Sequence, residues 1–520
     1  MIRPAAVIAL LALSLAPLAP AAGQNVLRVK PFGDVKMLDT TMNPDAMVRA
    51  HGYLVYDTLF ALDAGNVVRP QMVESWTTSA DGLVWVFTLR PGMAFHDGAP
   101  VTAADVVASL QRWVRRDGFG QQLALRTAAM APLDPMRVQI TLKVPWGLVL
   151  DALAKPGGSV PFIMPARIAS GPADKLIDDP TGSGPFVMKR DEWLAGDRIV
   201  YTRNVGYVPR AEPASGLAGG KRPGFDRFEY RILPDSQTAI AALIRGEIDI
   251  FEEIPPDLLP LLKNRPEIKV ARTSDIGPQQ ALRMNQVQPP FNNVKLRQAV
   301  SYAIDPEAFL RALNDDTSLV GRACPSFFTC TSPYFADVGW PKPDLEKARA
   351  LVRESGYDGT PVVLLDPVDV PLSHYHVVLA NAVFQSIGLK TDLQAMDWGT
   401  LTARRVSKAP VDKGGWSVFI TGPSGVDVME PISHSAIRAN CDRAFFGWAC
   451  DAEIERIREA FADAVDPAER QRLAAALQRR ALEVVPYWPV ANLYLLRGYR
   501  SSLSGLLAPP APAYWNVTRQ

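Results

Sequence analysis

Between Val84 and Leu89 the side chains alternate, with Trp85, Phe87 and Leu89 on one side and Val84, Val86 and Thr88 on the other. That period of two predicts a strand. Asp81-Gly82 precedes it and Asp97-Gly98 follows it. Asp-Gly suits positions of positive φ, so each pair reads as a tight turn. The period then changes: Val106, Leu110 and Trp113 fall on one helical face. Thr102 is placed to cap this helix, with Asp105 three residues on as a capping-box partner. Residues 74–113 therefore read as turn, strand, turn and capped helix.

The same rules extend along the chain. Alternation predicts strands at 26–32, 137–144, 186–190, 198–203 and 225–232. A helix is expected over 50–62, carrying Leu54, Val55, Leu59 and Phe60 on one face. From residue 235 onward helices and short apolar strands interleave. A helix over 235–245 stops at Gly246, where a left-handed residue ends a helix cheaply, and a strand follows at 248–250. Further helices are expected at 295–304, from Asp305-Pro306, at 344–354, 375–387, 451–464 and 467–485. Strands are expected at 281–285, 362–365 and 389–396. Helix followed by buried strand is the unit of an α/β sheet. The fold class is α/β, with a more strand-rich first half and two lobes rather than one sheet.

Length supports more than one core: 520 residues exceed what a single domain ordinarily packs. A formal net charge of +1 gives no field for nucleic acid or an anionic membrane. Arg3, an apolar run over 5–18 and small residues at 19–23 read as an export signal, residues 1–23, too short for a comfortable membrane span. The mature chain is expected to be soluble and exported. Four cysteines, Cys324, Cys330, Cys441 and Cys450, then suggest disulfides. Local loops 324–330 and 441–450 are the simplest of three connectivities, and a zinc site is the competing reading.

Enzyme signatures are missing. The chain has no GxSxG, HExxH or Walker motif. His374 and His376 stand two apart without evident further ligands, and His96 reads as a structural hydrogen-bonder in its turn. The glycine-rich 181–186 lacks the lysine of a phosphate loop, so it reads as a turn entering a strand.

Read together, these segments resemble a family. Trp76 after Glu74-Ser75, the Asp81-Gly82 turn, Leu89-Arg90 with Gly92, and Phe95-His96-Asp97-Gly98 leading to Asp105-Val106 match the densest motif of the bacterial extracellular solute-binding proteins of family 5. Residues 182–186 resemble a second motif, with Ser183 where threonine is usual. Arg203-Asn204 with Tyr207, the strand after Gly246, Met284-Asn285 with Pro290-Phe291 and 294–305, residues 486–489, and Tyr514-Trp515-Asn516 continue the match in order.

The resemblance implies a type II periplasmic-binding-protein fold, with two hinged lobes and an extra domain. Residues 24–62, 180–272 and 486–520 would form the first lobe, 63–179 the extra domain and 273–485 the second lobe. It further implies a monomer of the Gram-negative periplasm that holds a small solute, peptide-like by the family's habit, and hands it to ABC permease subunits of the inner membrane, with no cofactor. A nickel or metal-chelate ligand is the alternative within the family, and an exported hydrolase the alternative outside it.

Relatives that bind peptides use a buried aspartate for the peptide's ammonium, a charge-assisted contact of about 1.5–3 kcal/mol. The matching segment, 416–431, offers Asp427, whose competing reading is an ordinary turn residue. Val370 stands about where dipeptide binders carry a carboxylate-clamping arginine, so that clamp is expected to be absent. Arg283, on its strand, could face the cleft or solvent. Trp398 follows a strand end, where α/β ligands bind. Trp416 opens the Asp427 segment, and His51 and Tyr56 lie on the first helix, which approaches the cleft in the family. For each aromatic the competing reading is core packing.

Overall fold

The computed structural model describes residues 25–43, 45–172 and 174–520. The expected export signal lies outside the described residues.

Three sheets organise the chain. The first has seven strands in the order Phe186–Met188, Arg198–Arg203, Arg227–Arg231, Val26–Lys30, Ile250–Phe251, Leu496–Arg500 and Ile268–Arg272. Val26–Lys30 runs parallel to both neighbours, and the remaining pairs are antiparallel. The second has six strands: Gly321–Arg322, Trp488–Leu493, Gln279–Met284, Val418–Thr421, Val362–Pro367 and Thr391–Met396. Strands Gln279–Met284, Val362–Pro367 and Trp488–Leu493 of this sheet are buried at every position. They are covered by helices such as Val294–Ala303 and Pro371–Ser386.

The third sheet is antiparallel, in the order Val73–Thr78, Val84–Leu89, Arg137–Leu142 and Thr127–Asp134. Helix Ala103–Trp113 packs on it through Val106, Leu110 and Trp113, and the Thr102–Asp105 capping box is formed. This unit leans on both lobes. Arg112 reaches Asp39 at 3.2 Å, while Trp146 Nε1 donates to Ala462 O at 2.6 Å.

The chain crosses between the two large sheets twice, at 273–278 and at Tyr494-Leu495. The crossings are bonded to each other: Thr273 N donates to Leu495 O at 2.8 Å, and Leu493 N to Pro278 O at 2.8 Å. Two short adjacent segments joining two lobes are the geometry of a hinge.

Two expectations need correction. The first helix is Ala46–Val55, earlier than expected because Asp45 caps it by accepting from Met47 N; residues beyond it form strands Asp57–Thr58 and Phe60–Leu62. Residues 486–520 do not all join the first lobe, because Trp488–Leu493 pairs with Gln279–Met284 in the six-stranded sheet. The region 118–134, which carries no strong period, forms helix Gly118–Arg126 and strand Thr127–Asp134. Cys324 pairs with Cys330 and Cys441 with Cys450, the two local loops.

A cleft between the lobes as candidate functional site

A cavity of about 460 Å³ lies between the two large sheets, with both crossings as its floor. That volume suits a small solute. Four structures converge on it.

The first is the start of helix Ala46–Val55, which presents Ala46 and Arg49. A glycine-rich loop holds this helix in place. Gly184 N donates to Val55 O at 2.8 Å. A Cβ on Gly182 would stand 2.0 Å from that same oxygen, so only glycine permits the approach. His96 pins the loop from the other side: Nδ1 accepts from Gly182 N and Nε2–H donates to Gly184 O, each at 3.2 Å. The loop is thus a packing device, and the expected structural role of His96 is seen in its bonds.

The second is the turn Gly425–Val428, where Asp427 N donates to Ser424 O at 2.9 Å. Asp427 lines the cavity, its carboxylate set against Gly157 of the extra domain, where any Cβ would meet Oδ1 at 2.3 Å. The third is Trp398, the first residue of helix Trp398–Arg404, with Asp397 as its cap. Its backbone N–H donates to Asp369 at 2.7 Å, and the Arg405 guanidinium stands 5.6 Å from its ring. Val370, Leu372 and Ser373 add an apolar wall beside it.

The fourth is acidic. Glu252 and Glu253 follow strand Ile250–Phe251. Glu252 accepts from Phe32 N at 3.1 Å and from the Tyr514 hydroxyl. Burial disfavours the charged form and pushes Glu252 up to about 8 and Glu253 up to about 7. Near neutrality the glutamates are partly protonated, so Arg49 and Arg497 weigh more in the cleft's field than a plain count of acids implies.

Four of the six sequence-expected residues are not in the cleft. Arg283 is fully buried in the sheet and donates to Phe446 O, Ala436 O and Phe445 O at 3.0, 2.6 and 3.3 Å. Trp416 is buried against Phe419 and Trp448, its indole N–H shared between Arg405 O and Ser407 O. Tyr56 packs on Phe162. His51 touches Tyr201 Oη through Nδ1 at 3.0 Å, and burial drives its pKa down to about 3. On a helix buried almost throughout, lying near a cleft does not mean facing it.

Sequence reasoning missed Arg49, Arg497, Glu252 and Glu253. A signal existed for two features: Arg49 is the one charge in the otherwise apolar run 46–56, and Glu252-Glu253 sits just past a strand end. His374 is bonded to Asp366 at 2.7 Å and His376 to Phe309 O at 2.9 Å. Among the described residues no group of three His, Cys, Asp or Glu side chains comes together to hold a metal ion, and no helix is long and apolar enough to cross a membrane.

The comparisons agree with this architecture. The family model described as bacterial extracellular solute-binding proteins, family 5 middle, matches residues 67–440. A relative from Sinorhizobium fredii, named probable peptide ABC transporter periplasmic-binding protein y4tO, is 36% identical over 492 residues, 94% of this chain and 92% of its own. The glutathione-binding protein GsiB of Salmonella typhi is 28% identical over 488 residues, 91% of this chain and 90% of its own. Among solved structures, the binding protein AgaA in complex with agropinic acid superposes with a TM-score of 0.77 at 24% identity, covering 95% of this chain and 99% of that one. DppA from Helicobacter pylori in complex with the peptide STSA gives 0.76 at 20% identity, covering 95% and 98%. NikZ from Campylobacter jejuni in complex with Ni(L-His) gives 0.76 at 19% identity, covering 95% and 99%. This chain belongs to the bacterial extracellular solute-binding proteins of family 5 and has their type II periplasmic-binding-protein fold, with two lobes and an extra domain.

Proposed function

We propose that this protein captures a peptide-like solute with both a positive and a negative group, closes its lobes over it, and delivers it to the permease of an ABC importer. The observation that carries this reading is the cleft itself: a partly apolar chamber lined by Asp427 from one lobe and Arg49 from the other. A carboxylate and a guanidinium side by side in the cleft suit a zwitterion, and an aromatic wall at Trp398 suits a side chain. The names of the Sinorhizobium and Salmonella relatives point to the same chemistry. In this reading the chain works as a monomer of the Gram-negative periplasm, released there by removal of residues 1–23. It performs no covalent step, and closure about the paired crossings signals occupancy to the membrane partner.

The competing ligand is a metal chelate, favoured by the fold shared with NikZ but not by the donor set of this cleft. Tryptophan fluorescence separates the two, because Trp398 lines the cavity. Titration with reduced glutathione and with a panel of di- to tetrapeptides should give a saturable change with at least one probe, unaffected by EDTA. A change seen only with nickel–histidine, and abolished by EDTA, would overturn the peptide reading.

A further inference from the structure

Arg49 carries a guanidinium that the protein leaves unfinished. The side chain is 5% exposed and lines the cleft. Its Nε and Nη1 have no hydrogen-bond acceptor among the described residues. The nearest groups belong to the opposite lobe. Nη1 stands 3.9 Å from Asp427 Oδ2, beyond hydrogen-bond length. Nη2 reaches Ser424 Oγ at 3.5 Å, the outer limit of such a bond.

Other buried cations here are treated differently. Arg112 donates to Thr41, Gly171, Pro172, Asp39 and Lys175, and Arg283 donates from all three of its nitrogens. Arg497, the second arginine of the cleft, gives Nη2 to Leu507 O at 2.6 Å and has the Glu252 carboxyl nearby. Of these, Arg49 alone has two buried guanidinium nitrogens without an acceptor among the described residues; Arg497 leaves one, its Nε. A guanidinium stays charged and offers its donors in a planar fork that matches a carboxylate side-on. Buried without acceptors, it carries a desolvation penalty that an incoming oxyanion relieves.

We propose that Arg49 is the anchor for the ligand's carboxylate, and that its long contact with Asp427 is a cross-lobe pair the ligand replaces. The ligand's carboxylate enters between them and takes the fork of Arg49. Asp427 is thereby released to face donors on the ligand, so recognition is an exchange of one loose cross-lobe pair for tighter ones. The inference rests on the reading of the cleft as a site for a peptide-like solute.

The test incubates the full mature protein with an equimolar pool of di- to tetrapeptides bearing free carboxyl ends, and separately with the same pool amidated, and counts retained peptides by native mass spectrometry. Wild type should retain the free-acid pool at least tenfold better. Arg49→Gln should lose most of that preference, and Arg49→Lys should keep part of it, because a point charge replaces the fork. Equal retention of both pools by wild type, or unchanged preference in Arg49→Gln, would overturn the anchor while leaving the peptide site standing. Retention of neither pool would instead bring down the peptide reading and the anchor with it. If Arg49→Gln does not fold, Arg49→Lys decides: reduced preference supports the anchor and unchanged preference overturns it.

Discussion

Arg49 and Arg283 are both buried arginines, but Arg49 lines the cleft and lacks acceptors for Nε and Nη1 among the described residues, whereas Arg283 is bonded from all three nitrogens. Arg283 ties three backbone carbonyls of residues 436–446 to its strand. Arg283→Ala should therefore lower stability by about 2–4 kcal/mol, because three buried acceptors lose their donor. In urea denaturation this appears as a lower midpoint, while solute affinity of the remaining folded protein stays unchanged. Asp427 makes the opposite case. Its carboxylate is 28% exposed and its only ion pair among the described residues is the long one to Arg49, so Asp427→Ala should leave the melting temperature nearly unmoved and weaken solute binding about tenfold or more, measured by calorimetric titration. Asp427 and Trp398 were legible as cavity residues, because a turn in a matched segment and a strand end point outward by topology. Arg283 was not, because a strand buried on both faces gives the same alternation whether a position faces core or cleft.

Local signals were clearest at the level of elements. The capped helix Ala103–Trp113, the strand before it and the helix stops at Gly246 and Gly388 follow from periodicity and left-handed glycines. The periodicity puts the first helix late because its second half shares an apolar stretch with the strands that follow, and its start is set by the Asp45 cap. The C-terminal strand Trp488–Leu493 was assigned to the wrong lobe, since partners in a sheet are a long-range choice that no local pattern encodes. The glycine-rich loop offers a direct test of how elements place the site. Gly182→Ala would drive a methyl into Val55 O and should cost several kcal/mol (about 2–4), with a loss of solute affinity because the helix bearing Arg49 moves. Unchanged affinity in a well-folded Gly182→Ala protein would show that this loop does not position the helix. The loop closed by Cys441 and Cys450, nine residues apart, should contribute about 2–3 kcal/mol by chain entropy. Cys441→Ser with Cys450→Ser should lower the urea midpoint accordingly, and no change would show that the loop is held by its aromatic packing instead.

For the whole molecule, buried titratable groups set opposing limits on stability. Burial drives His51 and His434 down to about 3 and His376 to about 4, from 6.5. The unfolded chain then binds more protons below pH 6.5, so this stability is full above 6.5 and is lost as pH falls toward 3–4. His434 shows why: Nδ1 accepts from Ile437 N and Nε2–H donates to Phe327 O, leaving no place for a second proton. Glu252 and Glu253 act in the opposite sense. Their pKa values are raised from 4.5 to about 8 and about 7, so the folded state holds the extra protons and stability falls as pH rises from 4.5 through 8. Urea midpoints should therefore peak near about pH 6, and Glu252→Gln with Glu253→Gln should flatten the alkaline limb; a plateau from pH 5 to 8 in wild type would contradict these assignments. The two-lobed plan was readable because many short motifs occur in order along the chain. The ligand was not, because Arg49 and Asp427, which line the cleft together, come from segments nearly four hundred residues apart. The most direct test of the central claim is to purify the protein natively from the exported fraction, denature it, and identify what it releases by mass spectrometry. The prediction is a peptide-like molecule carrying both an ammonium and a carboxylate, near one per protein. Release of a metal chelate, or of a solute lacking a carboxylate, would contradict it.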